Sequence, residues 1–180
     1  MPLRELGPVN FEPLRDTILA QEQEAWQEDL YRQEAYDVHH STESIVMLFV
    51  ELDHWPKLVV SQEPGWARLS AAALPVMNDI ISRCYEPGGT VIRAVAAKLR
   101  PGANISSHID NHPSFHHGHR IHVPITTNPR VRFMIDGRPY QFQPGKAYEI
   151  NNQLYHSVMN KGSEDRITFI FDYVPAGQIG

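Results

Sequence analysis

From Thr90 onward, turn residues cut the chain into short β-type segments, and this change of period constrains the fold more than any other feature. Pro101-Gly102-Ala103-Asn104 and Pro144-Gly145 supply the fixed or positive φ angles that reversals need, and Asp136-Gly137 between two apolar runs has the composition of a type I′ hairpin turn. Strands are therefore expected near 91–100, 105–110, 120–126, 130–135, 138–143, 146–150, 155–159 and 166–174.

The preceding half follows a different pattern. Leu14, Ile18 and Leu19 recur at helical spacing within residues 11–25, with Asn10 as a candidate N-cap. Leu69, Ala73, Val76, Ile80 and Ile81 do the same within residues 66–84, before the break at Glu86-Pro87-Gly88-Gly89. Residues 44–52, rich in Ile, Val, Leu and Phe, read as a strand between the two helices. Helices followed by eight short antiparallel strands predict a mainly β chain: a double-stranded β-helix, or cupin-like jelly roll, with flanking N-terminal helices. A chain of 180 residues fits one domain, 1–180, in which residues 1–89 support a core at 90–174.

Sixteen basic and 21 acidic residues give a net charge of −5, with no block of like charge, which argues against nucleic acid or an anionic membrane as the main partner. Arg4, Glu5, Glu12, Arg15 and Asp16 interrupt the first twenty residues, so no signal-peptide core is expected there, and no run reaches the length of a membrane span. A soluble, cytoplasmic protein is expected. Cys84 is the only cysteine; this excludes an internal disulfide, fits a reducing compartment, and reads as a small buried apolar residue.

Against this β background one constellation stands out. His108-Ile109-Asp110 is followed 46 residues after Asp110 by His156, and ten residues later by Arg166. Two imidazoles and one carboxylate on a β scaffold make the facial triad of a non-haem Fe(II) site, which leaves coordination positions open for substrate and O2. Alternate strand residues share a face, so His108 and Asp110 can enter one cavity while Ile109 enters a wall. Arg166 opens a strand in which Thr168 and Ile170 share its face, and a guanidinium buried there needs an anion. A co-substrate carboxylate would supply it with paired hydrogen bonds, whereas the structural alternative is an ion pair with Glu164, Asp165 or another acid. Triad and arginine together point to an oxygenase using 2-oxoglutarate.

Six of the ten histidines fall between residues 108 and 122. His112, His116, His117 and His119 lie among Asn111, Pro113, Ser114 and Gly118, a loop composition that should face solvent or cover the mouth of a site. Arg120 and His122 differ, because they alternate on Arg120-Ile121-His122-Val123-Pro124-Ile125 and should face one side together. Arg93, the loop 111–119 and the segment around His39 and His40 are candidates for lining a substrate site.

Taken together, His108-Ile-Asp110, Arg120-Ile-His122-Val-Pro-Ile125, Glu149-Ile-Asn151-Asn152, His156-Ser-Val158-Met-Asn160, Arg166 and Asp172 resemble the aspartyl/asparaginyl β-hydroxylase family, which includes bacterial proline hydroxylases. The resemblance covers residues 91–174 most clearly. It implies Fe(II), 2-oxoglutarate and O2 as cofactor and co-substrates, succinate and CO2 as products, and an amino-acid or peptide substrate hydroxylated at carbon. By position it implies His108 and His156 as metal ligands, with Asp110 completing the triad, Arg166 on the distal carboxylate of 2-oxoglutarate, and Arg120 and His122 on the metal-proximal one. The animal aspartyl hydroxylase has glycine where this chain has Asp110, and a serine where it has Ala97, so the second donor to the distal carboxylate is unassigned. Two other classes remain open: a cupin-type metalloenzyme without 2-oxoglutarate, and a non-catalytic β-sandwich binding module.

Overall fold

The computed structural model describes residues 1–28 and 42–178. Its strands are β1 (Leu3–Pro8), β2 (Thr42–Val50), β3 (Val60–Gln62), β4 (Thr90–Leu99), β5 (Asn104–His108), β6 (His119–Thr126), β7 (Val131–Ile135), β8 (Arg138–Tyr140), β9 (Lys146–Ile150), β10 (His156–Asn160) and β11 (Arg166–Val174). The helices are α1 (Glu12–Leu19), α2 (Gly65–Cys84) and the single turn α3 (Pro113–His116). Seven strands form one antiparallel sheet in the order β1-β9-β6-β11-β4-β2-β3, and four form a second in the order β5-β10-β7-β8. Two facing antiparallel sheets, in which β4–β11 are joined by β1, β2 and β3 at the edges of the larger one, form the expected jelly roll.

Each face of the larger sheet has its own task, set by strand alternation. On the outer face Ile45, Ala94, Ala96, Phe169, Phe171, Ile121 and Val123 pack against Leu69, Ala73, Val76, Met77 and Ile80 of α2 in the main core. Fully burying one such Leu or Ile side chain contributes about 1.5–3 kcal/mol, so the α2 stripe alone fixes the helix on the sheet. α2 tolerates Pro75 in its interior, although that residue has no N–H to donate to the Ala71 carbonyl. Cys84, at the end of α2, is partly buried against this core.

Register sets out the inner face in rows. Thr42, Leu99 and Arg166 lie opposite one another on β2, β4 and β11; the next row is Ser44, Ala97, Thr168 and Pro124. Beyond these come Val46, Val95, Ile170 and His122, then Arg93, Asp172 and Arg120. Charged groups thus stand at both ends of a face whose middle rows are mostly apolar, with Ser44, Thr168 and His122 as their polar members. The smaller sheet closes over it with its own core of Phe133, Ile135, Phe142, Val158 and neighbours.

Some expectations need correction. The helix expected over 11–25 ends at Leu19 and is followed by a 3-10 turn at Gln23–Gln27. Phe11, not Asn10, occupies its N-cap, and no side chain caps it; a proline in the first turn removes one donor that a cap would have satisfied. β5 stops at His108, so Asp110 lies beyond the strand, held by its N–H to the Asn152 carbonyl at 3.2 Å. β1 and β3 were not expected. The Asp136-Gly137 turn is as read: both residues have positive φ, 50° and 72°, and they join β7 to β8 across two residues.

Candidate active site

The small sheet supplies both imidazoles from adjacent strands. His108 on β5 and His156 on β10 are directly paired, with ring centroids 4.3 Å apart. Each ring is oriented by its own chain: His108 Nδ1–H donates to the Ser106 carbonyl at 2.7 Å, and His156 Nδ1–H donates to the Leu154 carbonyl at 2.9 Å. These bonds fix the tautomer and turn both Nε2 atoms toward Asp110, each 3.9 Å from a carboxylate oxygen. One ligand atom from each of His108, Asp110 and His156 lies within 4.8 Å of the others. The atoms that converge are those a divalent cation needs, and three donors from one side leave the remainder of its coordination sphere open. Burial, only partly opposed by the Leu154 hydrogen bond, lowers the His156 pKa to about 4, so the ring is neutral and able to act as a ligand at physiological pH.

The large sheet faces this cluster with cations. A cavity of about 520 Å³, counting its open mouth, is lined by the three triad residues together with Thr42, Arg93, Arg120, His122 and Arg166. Arg120 is clamped by Asp172, Nε to Oδ1 at 2.8 Å and Nη2 to Oδ2 at 2.7 Å, and its Nη1 donates to Asp110. Arg166 is different. It is 6 % exposed, its guanidinium carbon stands 5.7 Å from the Phe133 ring centre, and among the described residues no carboxylate lies within ion-pair distance. Burial alone lowers its pKa to about 10, which still leaves it charged at neutral pH. The structural pair with Glu164 or Asp165 is therefore absent among the described residues.

His122, 4 % exposed, has no hydrogen-bond partner on either ring nitrogen among the described residues. Burial, reinforced by Arg166 and Arg120, holds its pKa well below the ordinary value, so it is a neutral imidazole with one N–H to offer. An unanswered guanidinium and an unanswered N–H in one cavity are the complement of an anionic ligand, since leaving such groups buried alone is costly. The residues present fit a divalent metal together with a small carboxylate ligand.

The remaining histidines of the 108–122 stretch do not join the triad. His112 caps α3, accepting from the Ser114 N–H at 3.2 Å, and stands beside Trp55 with ring centroids 6.1 Å apart. His117 also rests on Trp55 at 5.5 Å, and His119 Nδ1–H donates to Glu149 at 2.6 Å. Arg93 does line the cavity; His39 and His40 lie outside the described residues. Thr42 and the clamp role of Asp172 escaped sequence reasoning. The available signal was the pair of hydroxyls, Thr42 and Ser44, at alternate positions on either side of Glu43.

A family model described as Aspartyl/Asparaginyl beta-hydroxylase matches residues 10–175. The chain belongs to that family. No sequence among curated proteins matches it. Among solved structures, the viral collagen prolyl hydroxylase vCPH from Paramecium Bursaria Chlorella virus-1, in its 2OG complex, is similar with a TM-score of 0.56 at 10 % identity, covering 98 % of this chain and 97 % of that one. The non-heme monooxygenase ThoJ, as its nickel complex, gives 0.59 at 14 % identity over 97 % of this chain and 74 % of that one. A 2OG-Fe(II) oxygenase family oxidoreductase from Burkholderia pseudomallei gives 0.55 at 13 % identity over 76 % and 69 %. At these identities the likeness concerns the fold, a jelly roll. Among the described residues no helix is long and apolar enough to cross a membrane.

Proposed function

We propose that this family member is an Fe(II)- and 2-oxoglutarate-dependent dioxygenase that hydroxylates a carbon of an amino acid, either free, as in proline, or within a peptide, as at Asp or Asn. The observation that carries this reading is Arg166: a buried guanidinium without an acidic partner among the described residues, in the same cavity as three converging metal-ligand side chains. Arg166, ten residues after His156, argues against a cupin-type metal enzyme acting without 2-oxoglutarate, and the convergent triad argues against a non-catalytic β-sandwich.

In this reading His108, Asp110 and His156 hold Fe(II). The bound metal with 2-oxoglutarate and O2 supplies the oxidising chemistry, releasing succinate and CO2 as the substrate C–H is hydroxylated. The protein's own contribution is placement. Ser106 and Leu154 carbonyls keep each Nε2 aimed at the metal position. Arg120, fixed by Asp172, restrains one Asp110 oxygen and, with His122, presents donors to the metal-proximal carboxylate. Arg166 pairs with the distal carboxylate, so the co-substrate is held at both ends before O2 arrives. The family and the 2-oxoglutarate complex of the viral prolyl hydroxylase support the assignment. The acidic balance and single cysteine support a cytoplasmic setting and an amino-acid or peptide substrate rather than nucleic acid.

Succinate formation from 2-oxoglutarate in air with added Fe(II), measured across free amino acids and short Asp-, Asn- and Pro-containing peptides, tests the proposal. Metal-dependent succinate that one panel member stimulates, and that His108→Ala abolishes, is the expected result. Failure of the wild-type chain to bind either Fe(II) or 2-oxoglutarate overturns it.

A further inference from the structure

β5 stops at His108, so the pleat that aims this ring into the cavity does not aim Asp110. The carboxylate of the triad is placed instead by contacts from outside its strand. On the cavity side Arg120 Nη1 donates to Asp110 Oδ2, an attraction that competes with a metal for the same oxygen. On the other side the turn between β9 and β10 holds the Asp110 backbone at two points. Its N–H donates to the Asn152 carbonyl at 3.2 Å, and its carbonyl accepts from Gln153 Nε2 at 3.3 Å. The same Nε2 donates to Asn152 Oδ1 at 3.2 Å, which fixes the Gln153 amide in place. Asn152, itself buried, donates to the Phe115 carbonyl at 3.3 Å, so the loop that follows Asp110 is gripped a second time.

The turn does not depend on the Gln153 side chain for its own shape. Its backbone is closed by the Leu154 N–H on the Asn151 carbonyl at 3.2 Å and by the Gln153 N–H on Asn151 Oδ1 at 3.0 Å. The His108 and His156 rings are oriented by the Ser106 and Leu154 carbonyls, again without that side chain. The half-buried amide of Gln153 therefore serves one ligand of the triad, the one that its strand leaves unplaced.

We propose that Gln153 is a positioning residue for the metal centre: its side-chain amide anchors the Asp110 carbonyl and so sets where the carboxylate rests between Arg120 and the metal. The affinity of the site for a divalent cation then depends on a residue that does not touch the cation. The inference rests on the reading of His108, Asp110 and His156 as a metal site and adds to it the element that aligns the carboxylate.

The test is titration of the full, metal-free chain with Co(II), whose visible absorption reports its ligands, and with Fe(II) under anaerobic conditions. Gln153→Met keeps the length of the side chain and removes both donors without adding charge. It is expected to weaken both metals about tenfold, the effect of losing a partner that orients a ligand, and to change the Co(II) spectrum. The denaturation midpoint of the metal-free variant should match wild type. In an Asp110→Ala background, where His108 and His156 remain as ligands, the same substitution should change Co(II) affinity less than about twofold, because the residue through which it acts is gone. Wild-type affinity and spectrum in Gln153→Met overturn the proposal. An equal loss of affinity with and without Asp110 also overturns it, since the amide would then be supporting the fold or His156. Failure of the wild-type chain to bind Co(II) or Fe(II) is a separate outcome that removes the underlying reading of the site.

Discussion

Arg120 and Asp172 face each other across β6 and β11 as a buried bidentate pair, with hydrogen bonds of 2.8 and 2.7 Å, and the free edge of the same guanidinium holds Asp110. Asp172 is 1 % exposed, and among the described residues its charge is compensated by Arg120 in contact and Arg93 at 4.0 Å. The pair couples the large sheet to the metal cluster. Asp172→Asn keeps the shape and removes the charge, leaving Arg120 buried with a single close acid. Breaking a buried pair of this kind costs about 3 kcal/mol or more. Urea denaturation of the metal-free protein should show that loss; a change below about 0.5 kcal/mol would mean that the clamp contributes little.

His122 predicts a trade of stability against function. Its unpartnered nitrogens are costly in the metal-free protein and useful only when a ligand answers them. His122→Leu, similar in volume, should raise the unfolding free energy by about 1 kcal/mol while weakening 2-oxoglutarate about tenfold or more. A variant that is destabilised and binds 2-oxoglutarate normally would assign His122 to packing against Phe133 and Phe142, whose rings stand 5.7 and 5.9 Å away.

The same histidines fix the sign of the pH dependence. His122 and His156 are held neutral in the folded state by burial, below the value of about 6.5 that a histidine has when unfolded. Between that value and the folded one, the unfolded chain carries more protons, so stability rises with pH across this window and is lost as pH falls through it. Each residue contributes up to about 1.4 kcal/mol per pH unit. Thermal unfolding of the metal-free protein should move to lower temperature between pH 7 and pH 5. A midpoint that stays constant or rises would show that these rings are not neutral in the fold.

Gly65, at the first turn of α2, lies against β2 so closely that an added Cβ would stand 2.7 Å from the Val46 carbonyl carbon and 2.8 Å from Ile45 Cγ2. Neither is the far end of a flexible side chain, so the helix must retreat. Gly65→Ala should cost about 1–3 kcal/mol, the range for overpacking, despite the better helix propensity of alanine. Equal or higher stability of the variant, measured by denaturant midpoint, would contradict this close approach.

The strands of 90–174 were legible because their boundaries are written in local turn chemistry: Asp136-Gly137 and Pro144-Gly145 specify reversals wherever they occur. β1 was not, because Leu3–Pro8 includes both Gly7 and Pro8 and is a strand through its pairing with β9. The triad and Arg166 could be read as residue types at workable spacings. What sequence could not give is register: that Asp110 lies past the end of β5, that Asp172 meets Arg120, or that Thr42 shares a row with Arg166 from a strand far earlier in the chain. Those relationships depend on which strands become neighbours, a property of the assembled sheet.

The most direct test of the central claim is titration of 2-oxoglutarate into the anaerobic, Fe(II)-loaded protein, comparing wild type with Arg166→Ala and His156→Ala. The account predicts one equivalent of 2-oxoglutarate on the wild type, retained iron but little or no 2-oxoglutarate binding in Arg166→Ala, and loss of both in His156→Ala. Undiminished 2-oxoglutarate binding in Arg166→Ala, or undiminished iron binding in His156→Ala, would contradict it.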